Sequence, residues 1–286
     1  MNETNTPSAT APCASAAPIG RGLLHHGDAI EVLKGIEEGT FQTIIADPPY
    51  FQVLLGEKWD NAWGSPQEYL DWTREWVRAC RRVLREDGLL YIFGQLGKRE
   101  HIWLHTCSLL ATEMQFHDML IWDRAVGYNE RYDSFTPQYE MVLVLRQRGC
   151  ESPYFDKDAI RLPYDEATIK TYLRDKRYKD MAARQAHLEK GKYSTNIIRI
   201  PSLKGTTAEK VGHPSQKPLA LIEALVRSSS KEGHTVLDPF LGSGTTAVVC
   251  EKLNRKWVGI EKKADYLEIA RKRLADLAHQ ADLPLI

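Results

Sequence analysis

The stretch VLDPFLGSGTT at 236–246 reads as a strand, a sharp turn and the opening of a helix. Asp238 ends the strand, Gly242 and Gly244 give the turn freedom at positive φ, and Thr245 and Thr246 start the helix. Such a turn brings backbone N–H groups and a helix N-terminus close to a ligand, which favours anionic groups. A second acid, Glu261, ends the next strand, KWVGIE, where a nucleoside-binding fold holds ribose hydroxyls. Two glycines alone also suit a tight helix-packing turn; the flanking strand and helix and the following acid favour a nucleotide-type site. There is no GK[ST], which excludes a P-loop, and no third glycine, which weakens the case for a dinucleotide.

Working outward, the same alternation recurs on both sides. LALIEALVRSSS precedes this unit as an amphipathic helix, and ADYLEIARKRLADLAHQ follows it as a closing helix with apolar residues at 266, 267, 270 and 274. Nearer the start, Leu23–His26 reads as a short strand, AIEVLKGIEEG as a helix stopping at Gly39, and FQTIIAD as a strand apolar on both faces. Ser65, Pro66 and Glu68 supply an N-cap, a first-turn proline and a capping-box acid for a helix running to Asp87-Gly88. Trp72 and Trp76 fall at helical spacing, which suits core packing better than recognition. LLYIF at 89–93 is another buried strand, followed by a helix near 98–110 and strands near 116–123 and 139–145. The expected fold is therefore α/β, with a doubly wound, mostly parallel sheet.

The chain has 286 residues and no formal net charge, so affinity for a polyanion must come from local clustering. Residues 151–212 break the alternation: Lys157 to Arg199 carries eleven Lys/Arg against six Asp/Glu. That excess suits a nucleic-acid backbone, and equally a solvated insertion. Five cysteines stand singly, which argues for reduced thiols in a cytoplasmic protein and against a zinc site or disulfide framework. His101 and His105 are four apart without a further ligand, so no metal is expected. No apolar run approaches the roughly 20 residues of a membrane span. Residues 1–20, rich in Ala, Pro, Ser and Thr, read as a disordered arm.

IIADPPY at 44–50 is the second unusual strand ending. Pro48 and Pro49 cannot continue a central strand, and each fixes φ near about −65°. Asp47 and the Pro48 carbonyl become two acceptors on a rigid rim, with Tyr50 as a ring beside them. This set suits a planar group bearing an –NH2, whose attack on a methyl donor would be helped by acceptors for both N–H groups. A strand-terminating Asp-Pro turn is the alternative. The segment 51–64, with Phe51, Trp59 and Trp63, reads as a loop that serves as a lid, a DNA contact or an ordinary packed loop.

DPPY, DPFLGSGTT and VGHPSQKP together resemble the S-adenosyl-L-methionine-dependent amino-methyltransferases of DNA, and more narrowly the β-class adenine-N6 enzymes. In that class the DPPY motif precedes the cofactor loop, a circular permutation of the usual order, and the order here is the same. The resemblance spans about Gly22 to Leu277. It implies a Rossmann-like sheet divided into a catalytic half (21–123), a target-recognition region (124–210, including some core strands) and a cofactor-binding half (211–286). Asp238, Phe240, Gly242, Ser243 and Gly244 match the loop around the methionine part of the cofactor, and Glu261 the acid on the ribose hydroxyls. Asp28 matches an acid contacting the cofactor's adenine. His213, Gln216 and Lys217 match the segment closing over the methionine tail, with Lys217 on its carboxylate. Asp47, Pro48, Pro49 and Tyr50 match the pocket for a flipped-out adenine; cytosine-N4 enzymes more often begin this motif with serine.

The resemblance implies double-stranded DNA as partner, leaves room for a homodimer, and places the protein at a prokaryotic or phage nucleoid. The middle segment is similar to restriction–modification members, some of which modify GAATTC, and the chain lacks the extra C-terminal segment of the cell-cycle-regulated GANTC enzymes. Its rivals are cytosine-N4 transfer, a protein glutamine methyltransferase, and a non-catalytic DNA-binding relative.

Overall fold

The computed structural model describes residues 15–96, 101–127, 132–175, 177 and 179–281. Its elements run β1 (Ser15–Ile19), β2 (Gly22–His26), α1 (Ala29–Lys34), β3 (Phe41–Ala46), α2 (Pro66–Val83), β4 (Leu84–Gly94), α3 (Ile102–Glu113), β5 (Gln115–Asp123) and β6 (Tyr139–Arg146). Next come α4 (Glu166–Arg174), α5 (Met181–Lys190), β7 (Ile197–Arg199), α6 (Leu219–Ser229), β8 (Thr235–Asp238), α7 (Thr245–Lys252), β9 (Lys256–Glu261) and α8 (Ala264–Ala281). A short 3-10 turn, Lys58–Asn61, interrupts the loop after β3.

The strands form one sheet in the order β1-β2-β9-β8-β3-β4-β6-β5-β7. Strands β2, β9, β8, β3 and β4 are mutually parallel, and β6 turns antiparallel beside β4. The neighbours β3 and β8 mark the switch point, since the chain winds from β3 to β4 in one direction and from β8 to β9 in the other. In an open sheet of this type the ligand crevice lies outside the carboxyl ends of the strands at that point. The ends of β3 and β8 carry Asp47 and Asp238.

Both faces of the sheet are covered. Ile44 and Ala46 of β3 face one core with Trp76, Val77 and Cys80 of α2, while Ile45 faces the other with Leu221, Leu225 and Val226 of α6. This is why β3 reads as a continuous apolar run rather than an alternation. Each fully buried Ile or Leu in these layers contributes about 1.5–3 kcal/mol.

Several boundaries differ from expectation. The end of the expected disordered arm is ordered as β1, paired antiparallel with β2, while residues 1–14 lie outside the described residues. A hairpin through Gly20 at φ +54° makes the turn, and at Gly22 a Cβ would meet the Trp257 ring at 2.2 Å. Helix α1 stops at Gly35 instead of Gly39. Helix α2 stops at Val83, because Leu84 turns extended to pair with Phe41 and the next residues form a bulge before Thr43 meets Leu89. The expected helix near 98–110 is α3, displaced towards Glu113; residues 97–100 lie outside the described residues. Among the described residues no helix is long and apolar enough to cross a membrane.

Candidate active site

Two cavities open at the carboxyl edge of the sheet. The larger, about 650 Å³, runs over the β8 and β9 ends, and the smaller, about 140 Å³, lies between Asp47 and the β5–β6 edge. Asp47, Gln216 and Lys217 line both.

In the larger cavity the 238–246 turn is held from within. Gly242 and Gly244 take φ of +52° and +79°, as their type anticipates. Gly244 is also forced small by helix packing, since a Cβ there would stand 2.9 Å from Ala270. The Gly242 N–H donates to Glu261 Oε2 at 2.9 Å, and the Gly244 N–H to the Leu241 carbonyl at 2.9 Å. These amides therefore serve internal acceptors, which corrects the expectation that the turn offers them to an anion. Ser243 faces Arg273, whose Nη1 donates to its carbonyl at 2.9 Å. Asp238 accepts from the Thr246 hydroxyl at 2.6 Å and the Phe240 N–H at 3.0 Å. Phe240 packs on Trp72 and Trp76, with ring centroids 5.7 and 5.1 Å apart. The two tryptophans are thus core and cavity wall at once.

At the far end, Asp28 caps α1 through the Ile30 N–H at 3.0 Å and meets Lys262 at 3.1 Å. His213 lies edge-on to Tyr266, centroids 4.3 Å apart, and its Nδ1 is buried without a hydrogen-bond partner. Gln216 ties its own segment together, accepting from the Val211 N–H at 2.9 Å and donating to the Glu209 carbonyl at 2.7 Å.

The smaller cavity centres on Asp47. Its Oδ1 accepts from the Tyr50 hydroxyl at 2.6 Å, and its Oδ2 from Lys217 Nζ at 2.7 Å. Glu140, from β6, approaches the same two donors, 3.3 Å from the Tyr50 hydroxyl and 3.6 Å from Lys217 Nζ. Arg124 Nη1 holds the other Glu140 oxygen at 3.1 Å. The sequence suggests Tyr50 as a ring beside the two acceptors; its hydroxyl also orients Asp47, and its ring packs against the core. Lys217, expected on the cofactor's carboxylate, here pairs with Asp47 and Glu140. Burial alone would lower its pKa, but those two carboxylates outweigh it and hold it above the usual lysine range. Of the proline carbonyls, that of Pro49 is engaged, accepting from the Tyr69 hydroxyl at 2.8 Å. Pro48 lines the smaller cavity beside Asp47.

The loop after DPPY wraps Asp60. Its buried carboxylate accepts from the N–H groups of Tyr50, Val53 and Leu54 at 2.6–2.7 Å. Between them Phe51 and Gln52 both sit at positive φ, +62° and +58°. A carboxylate surrounded by successive backbone amides stabilises a turn that side-chain-bearing residues otherwise avoid.

A family model described as DNA methylase, of the N6/N4 type, matches residues 41–272. The chain belongs to this DNA methylase family. Type II methyltransferase M.HpaI of Haemophilus parainfluenzae is 31% identical over 251 residues, 86% of this chain and 72% of its own. DNA adenine methyltransferase YhdJ of Escherichia coli (strain K12) is 28% identical over 257 residues, 89% of this chain and 83% of its own. Among solved structures, the cytosine-N4-specific PvuII DNA methyltransferase shares the fold at a TM-score of 0.65 and 18% identity, covering 92% of this chain and 93% of its own. A DNA modification methylase of Thermus thermophilus, TTHA0409, solved with S-adenosyl-L-methionine, aligns at a TM-score of 0.57 and 25% identity, covering 89% of this chain and 95% of its own.

Within this methylase the motif residues Asp47, His213, Gln216, Lys217, Asp238, Phe240, Gly242, Ser243 and Glu261 all line the larger cavity, and Tyr50 and Pro48 the smaller. Gly244 stands one step behind, against α8. Glu140, Asp60 and Arg273 escape a reading of the sequence. Glu140 does leave a trace: it is an acid at the start of the apolar run MVLVL. Asp60 leaves none, since its role depends on a loop closing around it.

Asp238 and His213 titrate in opposite senses. Burial pushes the Asp238 carboxyl up to about 7, and burial pulls the His213 imidazole down to about 4. Between about pH 4 and 7 native Asp238 keeps a proton that the unfolded chain has lost, so its contribution to stability falls as pH rises. His213 does the reverse: below pH 6.5 the unfolded chain takes up a proton the native state refuses, so stability falls as pH falls to about 4. Urea unfolding should therefore show Asp238→Asn losing ground to the unsubstituted protein as pH drops from about 7 to 4. His213→Gln should gain ground from 6.5 to about 4, each by at most about 1.4 kcal/mol per pH unit. Parallel stability curves for all three proteins would contradict both assignments.

Proposed function

We propose that this DNA methylase transfers a methyl group from S-adenosyl-L-methionine to N6 of an adenine flipped out of duplex DNA. The observation that carries this reading is the meeting of a large and a small cavity at one carboxylate, Asp47. The larger suits a nucleoside with an amino-acid tail: it offers two buried acids, Asp238 and Glu261, an aromatic wall at Phe240 and the orphaned His213 Nδ1. Glu261 retains lone pairs beyond those used by Gly242 and Lys263 for ribose hydroxyls. Asp28 would flank the adenine moiety, Asp238 and Phe240 the methionine part, and His213 and Gln216 would close over its tail. When bound, the cofactor supplies an electrophilic methyl group.

In the smaller cavity Asp47 and the Pro48 carbonyl accept the two N6–H groups, drawing the nitrogen lone pair out of conjugation. Tyr50 and Glu140 fix the Asp47 carboxylate for this task. The N6 proton leaves through Asp47 or directly to water. Burial pushes the Cys80 and Cys107 thiols well up, so neither serves as a nucleophile. Extruding the base costs roughly a few kcal/mol. Residues 124–210, with α4 and α5 standing out from the core, supply the target-recognition region and its excess of five positive charges. The homodimer that the resemblance allows is read by sedimentation of the protein alone.

Incubation with tritiated S-adenosyl-L-methionine and unmethylated duplex DNA should label the DNA, and digestion should place the label in N6-methyladenine. Label in N4-methylcytosine or in protein would overturn the assignment. Sequencing of the methylated positions identifies the target.

A further inference from the structure

The Lys217 ammonium occupies the place where a transferable amine belongs. It lies 2.7 Å from Asp47 Oδ2 and 3.6 Å from Glu140 Oε2, and is only 6% exposed. The rings of Phe93, Tyr50 and Trp122 stand 5.1, 5.4 and 6.0 Å from Nζ. Two carboxylates and three ring faces form a box for a nitrogen that is, or is becoming, positive. This arrangement cannot persist through the reaction. The attacking N6 gains positive charge, and a second cation beside Asp47 would repel it and compete for the same oxygen.

Lys217 has another place to go. It lines the larger cavity as well as the smaller, at the end the two share. Lys262 and Lys263, which also line the larger cavity, pair with Asp28 and Glu57 at the opposite end. The Lys217 backbone is held by the Thr245 hydroxyl, which donates to its carbonyl at 3.3 Å, so the movable part is the four-carbon side chain. Its departure leaves neither carboxylate without a partner: Arg124 still pairs with Glu140, and the Tyr50 hydroxyl still donates to Asp47.

We propose that Lys217 is a positioning residue that guards Asp47 in the free protein and turns to the cofactor's carboxylate when the larger cavity fills. Asp47 then becomes available to the base, so cofactor binding precedes and promotes capture of the flipped adenine. Lys217 stays protonated throughout. The inference rests on the reading of the two cavities given under Proposed function, and adds to it a dependence on one functional group, the carboxylate of the amino-acid tail.

The test uses the full chain and a duplex that keeps the mapped target adenine and carries 2-aminopurine as its stacked neighbour, whose fluorescence rises when the adenine leaves the stack. S-adenosyl-L-homocysteine carries the tail; 5′-methylthioadenosine lacks it. Calorimetry establishes saturation with each. The tailed ligand should tighten duplex binding about tenfold and raise the fluorescence, while the tailless one leaves both near the ligand-free level. In Lys217→Met, fluorescence should be high without ligand and respond equally to either. The comparison of the two ligands in the unsubstituted protein needs no variant, so a misfolded Lys217→Met would not blunt it. Equal responses to the two ligands in the unsubstituted protein, or a tail-dependent response that survives Lys217→Met, would overturn the proposal. Failure of S-adenosyl-L-homocysteine to bind at all would overturn the cofactor reading beneath it, and calorimetry tells the two failures apart.

Discussion

Asp47→Asn is expected to lower the rate of methyl transfer by about a thousandfold, equivalent to about 4 kcal/mol of transition-state stabilisation. The substitution preserves shape but replaces one acceptor oxygen by an –NH2 that repels the incoming amine. It also removes half of the compensation around a buried cation, because Lys217 is left with Glu140 alone, 3.6 Å away. Breaking a buried pair typically costs about 3–5 kcal/mol, and the retained Glu140 places this case at the lower end. Activity and stability therefore fall together, and a second substitution separates them. Asp47→Asn combined with Lys217→Met removes the orphaned charge and should recover most of the unfolding free energy while leaving transfer at background. Tritium incorporation and urea unfolding on the same preparations read both quantities. Full activity in Asp47→Asn would refute the role given to the carboxylate. Activity recovering in the double variant would show that the loss had come from instability.

Asp60→Ala is expected to cut transfer by about two to three orders of magnitude while moving the global unfolding transition little. Each amide bond to a buried carboxylate is worth about 1.5–3 kcal/mol, and three are lost at once from Tyr50, Val53 and Leu54. Phe51 and Gln52 would also lose what holds them at positive φ, at about 1–3 kcal/mol each. The loop as a whole loses less than that sum by opening locally, which is why the sheet should survive. Tyr50 would lose its anchored backbone N–H, and with it the fixed direction of its hydroxyl onto Asp47. Hydrogen exchange confined to residues 50–64, together with lost transfer, is the expected pattern. Asp60→Asn, which keeps one acceptor oxygen, should fall between. Unchanged exchange in Asp60→Ala would show that the loop does not depend on this carboxylate.

How much is legible in advance depends on how local the cause is. Gly242 and Gly244 are readable because positive φ is a property of single residues, and IIADPPY because two prolines end a strand wherever it lies. The length of α1 and the end of α2 are not. Leu84 has nothing in its own neighbourhood to stop a helix; it turns extended because Phe41, far earlier in the chain, pairs with it. The strand Ser15–Ile19 reads as part of a disordered arm for the same reason: its composition is weak, and its order comes from the neighbouring β2.

The sequence by itself determined the α/β alternation and the two strand-end turns at Asp47 and Asp238, because each follows from chain-local chemistry: periodicity, proline, glycine and the acid at a strand's end. Only the tertiary structure decided what those residues touch. It placed Glu140 from an antiparallel strand beside Asp47, aimed the Tyr50 hydroxyl at the same carboxylate, and set Lys217 on Asp47, 170 residues away. A charge chooses its partner by distance in space and by the water excluded around it, and neither is written in the order of residues along the chain.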